Sequence, residues 1–490
     1  MRMANSNVNV KCHGRYITTI LFYSLMGCIY FASISCSHAD IIVDDTAPLN
    51  QQPKVTAHLE KKKMCSVQNA HCQGGTFTTV NIVAPDENGV SHNKYKRFNN
   101  AIGKGHNELI LNNTLADNPE ATGNPHLTDK PARVILNEVT SNQPSQLYGL
   151  LSVAGRTAHV IIVNPSGITC DGCRFSNTGH VTLTTGVPVV HAGTLLGYDV
   201  NRGVIHIEKN GLKHNDDPYT FLDLFASSLK VNGEIRSRDI IAIIGKHAVG
   251  FAKSDETVAI RSIGGFSSDY RKAVNVDVGQ FGRMYSDRIF IKTSGGSVVN
   301  KGIIDADVVV NILSSFAIRN NDGIISSHRV RLKGLGLIDN RRGQIKSQRQ
   351  DLPSHVNAKE KFAIRLVGRN IFNKEGGIYS NSGNISMQSA DTVGNVQGVI
   401  KSNSTSGPAN ISIKSKAVNN FMGKIITSSN IAINTGHLKN NQGKIVSIFG
   451  QVDLSYKKVT DTSGVIHGGL EVNRTIKPLL TTSHRGWTNF

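Results

Sequence analysis

Tryptophan occurs once and proline thirteen times in 490 residues, and aromatic residues make up only 6% of the chain. A globular core built around large aromatic side chains is therefore excluded. Acidic residues are also few, 35 against 54 Lys and Arg, for a formal charge of +19. The basic residues are nonetheless spread along the chain, the densest run being Glu60-Lys61-Lys62-Lys63. No basic stripe with interleaved aromatics is present, so nucleic acid is not an expected partner. Long apolar runs are missing after residue 39, which leaves no later helix able to span a bilayer. The sequence has no Gly-x-Ser-x-Gly elbow, no phosphate-binding loop and no His-Glu-x-x-His motif. Neither a catalytic residue nor a metal or cofactor site is expected, and the chain reads as a non-enzyme. The adjacent pair Asp216-Asp217, between Asn215 and Pro218, reads as a turn.

What is present is glycine, 47 residues of it, with many Ser, Thr, Asn, Val and Ile. That mixture suits short strands and tight turns. The N-terminus carries a basic segment (Arg2, Lys11, Arg15), an apolar stretch from Tyr16 to Ile34, and then Ser37-His38-Ala39. Small residues at the two positions read by a signal peptidase give the pattern of a secretory signal over residues 1–39, with a mature chain starting near Asp40. Residues 40–75 show little periodicity and are expected to form a mobile leader. Four of the seven cysteines then remain: Cys65, Cys72, Cys170 and Cys173. In an exported chain an even count reads as disulfides. The expected bridge is Cys170–Cys173, with Cys65–Cys72 as a second; a redox pair and a shared zinc site are the alternatives for the same thiols.

From Phe77 onward, strand-length apolar runs alternate with Asn, Gly and Pro, as in Val80-Asn81-Ile82-Val83 and His159-Val160-Ile161-Ile162-Val163. In the second half a unit recurs. Asn300-Lys301-Gly302-Ile303-Ile304 returns as Asn321-Asp322-Gly323-Ile324-Ile325 and as Arg341-Arg342-Gly343-Gln344-Ile345. Further copies centre on Gly377, Gly398, Gly423 and Gly443. A period of about twenty residues is that of a solenoid whose coils stack to bury a shared core. The glycine is expected to supply a positive φ at a corner, Ser, Thr and Lys to point outward, and the preceding Asn, as at Asn321, Asn373, Asn420 and Asn441, to form an amide ladder. Residues 348–361 interrupt one unit as an inserted loop. The expected fold is all-β, a right-handed parallel β-helix with an N-terminal cap and small extra-helical β elements.

Four ordered blocks add a family likeness. They are Gly89-Val90-Ser91-His92-Asn93-Lys94-Tyr95 with Phe98-Asn99; Gly123-Asn124-Pro125-His126-Leu127; Ala132 to Val139; and Asn164-Pro165-Ser166-Gly167-Ile168-Thr169-Cys170-Asp171-Gly172-Cys173, continued by Thr182 to Gly186. Together they resemble the two-partner secretion domain of filamentous-haemagglutinin and contact-dependent-inhibition proteins. His126 and Ser166 stand where the family's motifs carry a second Asn. The resemblance covers residues 76–300, and the repeats over 301–455 resemble the haemagglutinin repeat region, followed by a polar tail over 456–490.

The resemblance implies a secreted or surface-exposed adhesin, passed through the periplasm to an outer-membrane β-barrel transporter that recognises the N-terminal domain. It implies a host-cell glycan or protein as receptor. Asn124, Pro125, Leu127, Asn164, Pro165, Gly167 and Ile168 are the expected recognition or turn residues. The alternatives are the stalk of a contact-dependent growth-inhibition toxin without its toxin domain, and a β-helical carbohydrate-active enzyme.

Overall fold

The computed structural model describes residues 7–12, 15–20, 40–66, 69–100, 108–117, 122–191, 194–214, 220–251, 258–262, 273–348, 362–381, 383–403 and 407–476. Most of residues 1–39, the pair Asp216-Asp217 and the inserted loop from 349 to 361 lie outside them. So do the side chains of residues 58–76, Cys65 and Cys72 among them. Asn7–Cys12 pairs antiparallel with Arg15–Ile20 as a separate two-stranded sheet.

From Phe77 to Ile476 the chain winds through three parallel sheets in a fixed order. The first face holds Glu108–Asn113, Leu150–Gly155 and Cys173–Ser176, and ends with Lys444–Ser447 and Val465–Gly468. The second runs from Val134–Val139 through His159–Val163 and His180–Thr184 to Val472–Ile476. The third runs from Ser145–Leu147 through Ile168–Cys170 and Val204–Ile207 to Lys458–Thr460. Each strand pairs with the strand one coil earlier and one coil later. This is a right-handed parallel β-helix, the hand that parallel crossover connections take.

Side chains alternate between core and solvent along each strand, so one residue type at one inward position generates a column. On the first face Ile304, Ile325, Ile345, Ile378, Ile400, Ile425, Ile445 and Ile466 stand directly above one another. All but Ile466, on the last coil, are fully buried. Burying one such side chain stabilises the fold by about 2 kcal/mol. A single coil has nothing to bury it against, so the gain requires the stack.

The amide ladder exists, and of the four expected residues two, Asn373 and Asn420, belong to it. Asn300, Asn320, Asn340, Asn373, Asn395, Asn420 and Asn440 are buried, and each Nδ2 donates to the Oδ1 of the next at 2.7–2.8 Å. Asn321 and Asn441 sit one residue further along and take no part. The corner glycine of the fourth copy is likewise Gly376, because Gly377 already belongs to the strand Gly377–Ser380.

The glycine's role also differs from expectation. Positive φ belongs to the residue before it: Asp322 (63°), Arg342 (53°), Glu375 (56°), Gln397 (55°), Met422 (54°) and Gln442 (56°). The glycine itself is required by close approach. A Cβ on Gly343, Gly376, Gly398 or Gly423 would fall on the carbonyl oxygen of the ladder Asn one coil below. The hydroxyls closing these strands face inward, not outward. Ser347, Ser380, Ser402 and Ser447 are buried, with Ser347 Oγ donating to His328 O at 2.6 Å and Ser402 Oγ to Gly383 O at 2.8 Å.

The segment expected as a mobile leader contains regular structure. Asp40–Val43 pairs antiparallel with Val90–Asn99, and Lys54–Ser66 pairs with Asn69–Asn81 to cap the first coil. Asp44 anchors this cap. Its carboxylate accepts from Thr46 Oγ1 (2.5 Å), Thr140 Oγ1 (2.7 Å) and Thr46 N (3.0 Å), and these hydrogen bonds hold its pKa below the usual carboxylate value. The low periodicity of the segment reflects strands that cover the end of a stack and expose one side to water.

One extra-helical sheet lies on the second face, built from Val187–His191, Thr194–Val200, His247–Phe251 and Val258–Ser262. Tyr198, Val200 and Val249 pack beneath it on Leu136, Ile161, Val163, Phe225 and Ile243 as a second core. His247 is fully buried at its base, with Nδ1–H donating to Gly245 O at 2.7 Å. Burial pulls its pKa down from 6.5 to about 4, with Lys292 acting in the same direction.

Two outcomes follow. Gly343→Ala should lower the urea midpoint by an amount equal to roughly 2 kcal/mol or more. Gln442→Gly removes a left-handed strain of about 1 kcal/mol and should leave the midpoint unchanged or raised. A depressed histidine pKa means that the unfolded chain binds the proton first. Stability should therefore fall as pH drops below 6.5, by roughly 3 kcal/mol on reaching pH 4 from His247 alone. Comparing urea midpoints at pH 7.5, 5.5 and 4.5 between wild type and His247→Asn isolates this contribution. Parallel curves for the two proteins would refute it.

Candidate functional site

The two Asn-Pro motifs form corners of one design on different edges of the helix. Asn124 follows the first-face strand Glu108–Asn113 and precedes the second-face strand Val134–Val139. Asn164 follows the second-face strand His159–Val163 and precedes the third-face strand Ile168–Cys170.

In the first, the Asn124 Nδ2 donates to Ile82 O and Asn112 O, both at 2.9 Å, and its Oδ1 accepts from His126 N at 2.9 Å. Leu127 N closes the turn on Asn124 O at 3.0 Å. In the second, the Asn164 Nδ2 donates to Gln143 O and Ser145 Oγ, both at 2.9 Å, and its Oδ1 accepts from Ser166 N at 2.9 Å. Gly167 N closes that turn on Asn164 O at 3.0 Å. Each amide thus ties its own turn to the preceding coil, while proline fixes φ at the next position.

Burial sorts these residues by what they can touch. Asn124, Leu127, Asn164, Gly167 and Ile168 are all buried. Pro125 is exposed, and His126, Pro165 and Ser166 are partly exposed. A partner of the folded domain would therefore meet the prolines and the residues after them, not the asparagines. His126 and Ser166, the two departures from the family pattern, use backbone N–H groups to meet the Asn side chain; the His126 Nδ1 also lies 3.2 Å from Ile82 O, whereas a different side chain at 166 leaves the turn intact. Gly167 adopts φ of 120°, where a Cβ would also come within 3.1 Å of Val204 O.

After Ile168-Thr169 the chain reaches the edge between the third and first faces. Cys170 and Cys173 are both buried there, their Cα atoms 5.3 Å apart and their sulfurs at bonding distance. Gly172 supplies the positive φ of 83° that the two-residue crossing needs. Asp171 Oδ1 accepts from Asn210 N at 2.9 Å, which ties this edge to the next coil.

The block from Gly89 to Asn99 joins cap and coil. Asn93, fully buried, accepts from Val83 N at 2.9 Å, and Tyr95 OH donates to Asn137 Oδ1 at 3.1 Å. Burial raises the Tyr95 phenol far above its ordinary value. His92 bridges two elements: Gln51 Nε2 lies 3.3 Å from its Nδ1, and its Nε2 lies 2.6 Å from Glu138 Oε2. With the amide donating to Nδ1, the Nε2–H donates to the carboxylate, a positioning contact between cap and first coil.

Two buried asparagines went unnoticed in the sequence: Asn112 and Asn113. Asn113 accepts from Ala132 N (2.7 Å) and donates to Ala132 O and Arg156 O (2.9 and 2.8 Å). Their signal was an Asn closing an apolar strand, the same signal that marks Asn164. Among the described residues no three of His, Cys, Asp and Glu gather to form a metal-binding group. Of the buried carboxylates, Asp223 is paired with His180 at 2.8 Å and Asp239 with Arg288 at 2.7 Å.

Replacing a fully buried amide leaves its partners unsatisfied. Asn164→Ala should destabilise the isolated domain by about 2–3 kcal/mol in urea titration. Ser166→Ala should cost less than about 0.5 kcal/mol, because only its backbone is used.

A family model described as the TPS (two-partner secretion) secretion domain matches residues 56–316, more than half of the chain. The chain is 38% identical to the Toxin CdiA of Yersinia pestis over 311 residues, which is 62% of this chain and 8% of that protein. It is 33% identical to the tRNA nuclease CdiA of Yersinia mollaretii over 338 residues, 66% of this chain and 11% of that protein. It is 33% identical to the Filamentous hemagglutinin of Bordetella pertussis over 281 residues, 54% of this chain and 8% of that protein. The match therefore spans between 8% and 11% of those relatives' own length. Among solved structures, the filamentous hemagglutinin secretion domain aligns over 89% of this chain and 99% of that one, at 19% identity and a TM-score of 0.38. The HMW1 secretion domain of Haemophilus influenzae aligns over 86% and 99%, at 14% identity and a TM-score of 0.34. With the secretion-domain match over 56–316, the chain belongs to the two-partner secretion family.

Proposed function

We propose that this chain is an exported filamentous-haemagglutinin-like adhesin. Its signal over residues 1–39 is removed near Asp40, and its N-terminal domain is recognised by a dedicated outer-membrane β-barrel transporter. The observation that carries this reading is the secretion-domain match over residues 56–316, laid on a β-helix whose motif asparagines hold the corners. Passage through the periplasm and display at the cell surface or in the medium follow from that route. The oxidising compartment suits a structural Cys170–Cys173 disulfide. The surface coils would meet a host-cell glycan or protein, and the chain performs no catalysis.

The second reading, the N-terminal stalk of a contact-dependent growth-inhibition toxin, is favoured by the two CdiA relatives at 38% and 33% identity. A toxin domain downstream in the same reading frame decides for the stalk; its absence decides for the adhesin.

Recognition of the secretion domain and mere stability of its corners are separable. Co-expressed with its transporter, a chain ending after residue 300 should be secreted like the full chain. Asn164→Ala with Pro165→Ala should lower secretion, by turn loss of about 1–3 kcal/mol or by loss of a recognised motif. The surface variant Pro165→Ala with Ser166→Asp keeps the buried amide. If it folds normally yet is not secreted, the transporter reads the corner itself. If the truncated chain is retained in the periplasm, the export assignment fails. N-terminal sequencing of secreted protein should begin near Asp40; a start at Met1 or a lipid-modified Cys36 overturns the signal reading.

A further inference from the structure

The last described coil of the helix is open on its far side. Its strands Lys458–Thr460, Val465–Gly468 and Val472–Ile476 each pair with the coil before, and among the described residues none pairs with a coil after. The inward columns show the consequence. Val393, Val418 and Leu438 stand in register and are buried, whereas Val459, next in that column, is 40% exposed. Ile466 ends the isoleucine column only partly buried. An open strand edge beside exposed apolar side chains is a surface that native folds cover. The opposite end of the stack is already covered, by Lys54–Ser66 on Asn69–Asn81.

The ladder corners specify what can sit on this end. From Asn320 with Gly323, through Asn440 with Gly443, to Asp461 with Gly464, each corner carries a rung residue and, three positions later, a glycine. The glycine is needed because a Cβ there would fall on the rung carbonyl one coil earlier, 2.2 Å from Asn440 O in the case of Gly464. The rung side chain must complement the one before it. Asp461 Oδ1 lies 3.3 Å from Asn440 Nδ2, and a carboxylate only accepts, so the residue stacked on Asp461 must be a donor. Beyond Ile476, the last described residue, the sequence supplies that pair: Ser483 and, three positions later, Gly486. Ser483 follows Asp461 by 22 residues, inside the range of 20 to 33 that separates the earlier rungs, and its hydroxyl can donate.

We propose that the open end is the docking surface for residues 477–490 of the same chain, which cap it as a partial coil with Ser483 donating to the Asp461 carboxylate and Gly486 lying over the Asp461 carbonyl. In this register Leu480-Thr481-Thr482 pairs with Lys458–Thr460, and Trp487-Thr488-Asn489 with Val465-Ile466-His467. Lys477-Pro478-Leu479 makes the corner ahead, where Lys457 alone serves one coil earlier, and proline suits a turn. Thr481 then falls on Val459 and Thr488 on Ile466, so the inward positions change from aliphatic residues to Thr. A threonine can turn its methyl to the core and its hydroxyl to water, as a terminal unit with a polar outer side requires. The backbone fits the same register. At each corner the left-handed residue donates to the coil after it, as Met422 N does to Asn441 O at 3.1 Å and Gln442 N to Thr462 O at 3.0 Å. Ser463 has the same left-handed φ of 57°, and the equivalent acceptor is His484 O. A second copy seated end to end is the competing occupant. Attachment at Ile476 favours the segment, because a tethered strand meets the edge at an effective concentration in the millimolar range. The cap follows from register and is independent of export.

Amide hydrogen exchange of the purified mature chain, read by mass spectrometry over residues 457–468, tests the cap. With the cap seated, these amides should exchange within about tenfold of the rate one coil earlier. Gly486→Val should speed their exchange by about tenfold or more, while peptides covering residues 318–345 stay unchanged and report an intact stack. Ser483→Ala should speed it by a smaller factor, roughly threefold to tenfold, and Ser483→Thr, which keeps the hydroxyl, should not. Asn489→Ala, at an outward position, should have no effect. Cysteine pairs read the register. Val465→Cys with Trp487→Cys should oxidise to a bridge within one chain, since register neighbours lie about 4.8 Å apart, whereas Val465→Cys with Asn489→Cys should not. Light scattering should give a monomer. Fast exchange of the edge in the wild-type chain, identical exchange in Gly486→Val and wild type, or a bridge formed only to position 489 overturns the proposal. A dimer whose bridge joins two chains overturns it as well and assigns the surface to a second copy.

Discussion

Buried backbone and amide groups in this fold find their partners only one coil away. A strand on any of the three faces has no neighbour inside its own coil, so its N–H and C=O groups remain unpaired until the adjacent coil is in register. The Asn ladder adds a side-chain version of the same demand. Asn340 donates to Asn373 Oδ1 at 2.7 Å and also to Gly343 O and Gly377 O at 3.1 Å, joining its own corner to the next. A slip of one residue would turn the isoleucine column outward and place unpaired amides in the core, an error costing several kcal/mol per coil. Register is therefore the constraint, and the corner residues follow from it.

This explains what could be read from the sequence and what could not. The recurrence of Gly followed by alternating Ile is local and survives in one dimension, so the β-helix and its coil length were legible. The roles within the corner were not. Gly343 is glycine because of the Asn320 carbonyl one coil below, a contact invisible to any local reading. The left-handed conformation it was expected to supply falls on Arg342, a residue with no local signature for it. Asn320 and Asn321 are adjacent and chemically identical, and only the stack decides which amide is buried. The cap was misread for a related reason: Asp40–Val43 is held by pairing with residues some fifty positions later, while its own pattern is weak.

The motif corners were legible as turns, since Asn-Pro specifies one wherever it occurs. Their burial was not. Asn164 sits under the chain because Gln143 and Ser145, one coil earlier, present a carbonyl and a hydroxyl to its amide. That placement limits what the motif can do in the folded domain. The amide is committed to structure, so surface recognition falls to Pro165 and Ser166, and any reading of Asn164 itself takes place before the coil closes.

The two halves of the helix divide the work between irregularity and repetition. In the first, register partners are separated by widely different lengths, 31 residues for Asn81 and Asn112 and 49 for Asp239 and Arg288. The extra length builds the corners and the four-stranded outer sheet. In the second, ladder rungs lie 20 to 33 residues apart. The ladder is also polar, each amide donating toward the later coil. At its end Asn440 Nδ2 meets Asp461 Oδ1 at 3.3 Å. A carboxylate accepts that bond but has no N–H to pass forward. A further coil placed on Asp461 would have to present a donor there, so the amide rung used from Asn300 onward cannot be continued with the same polarity.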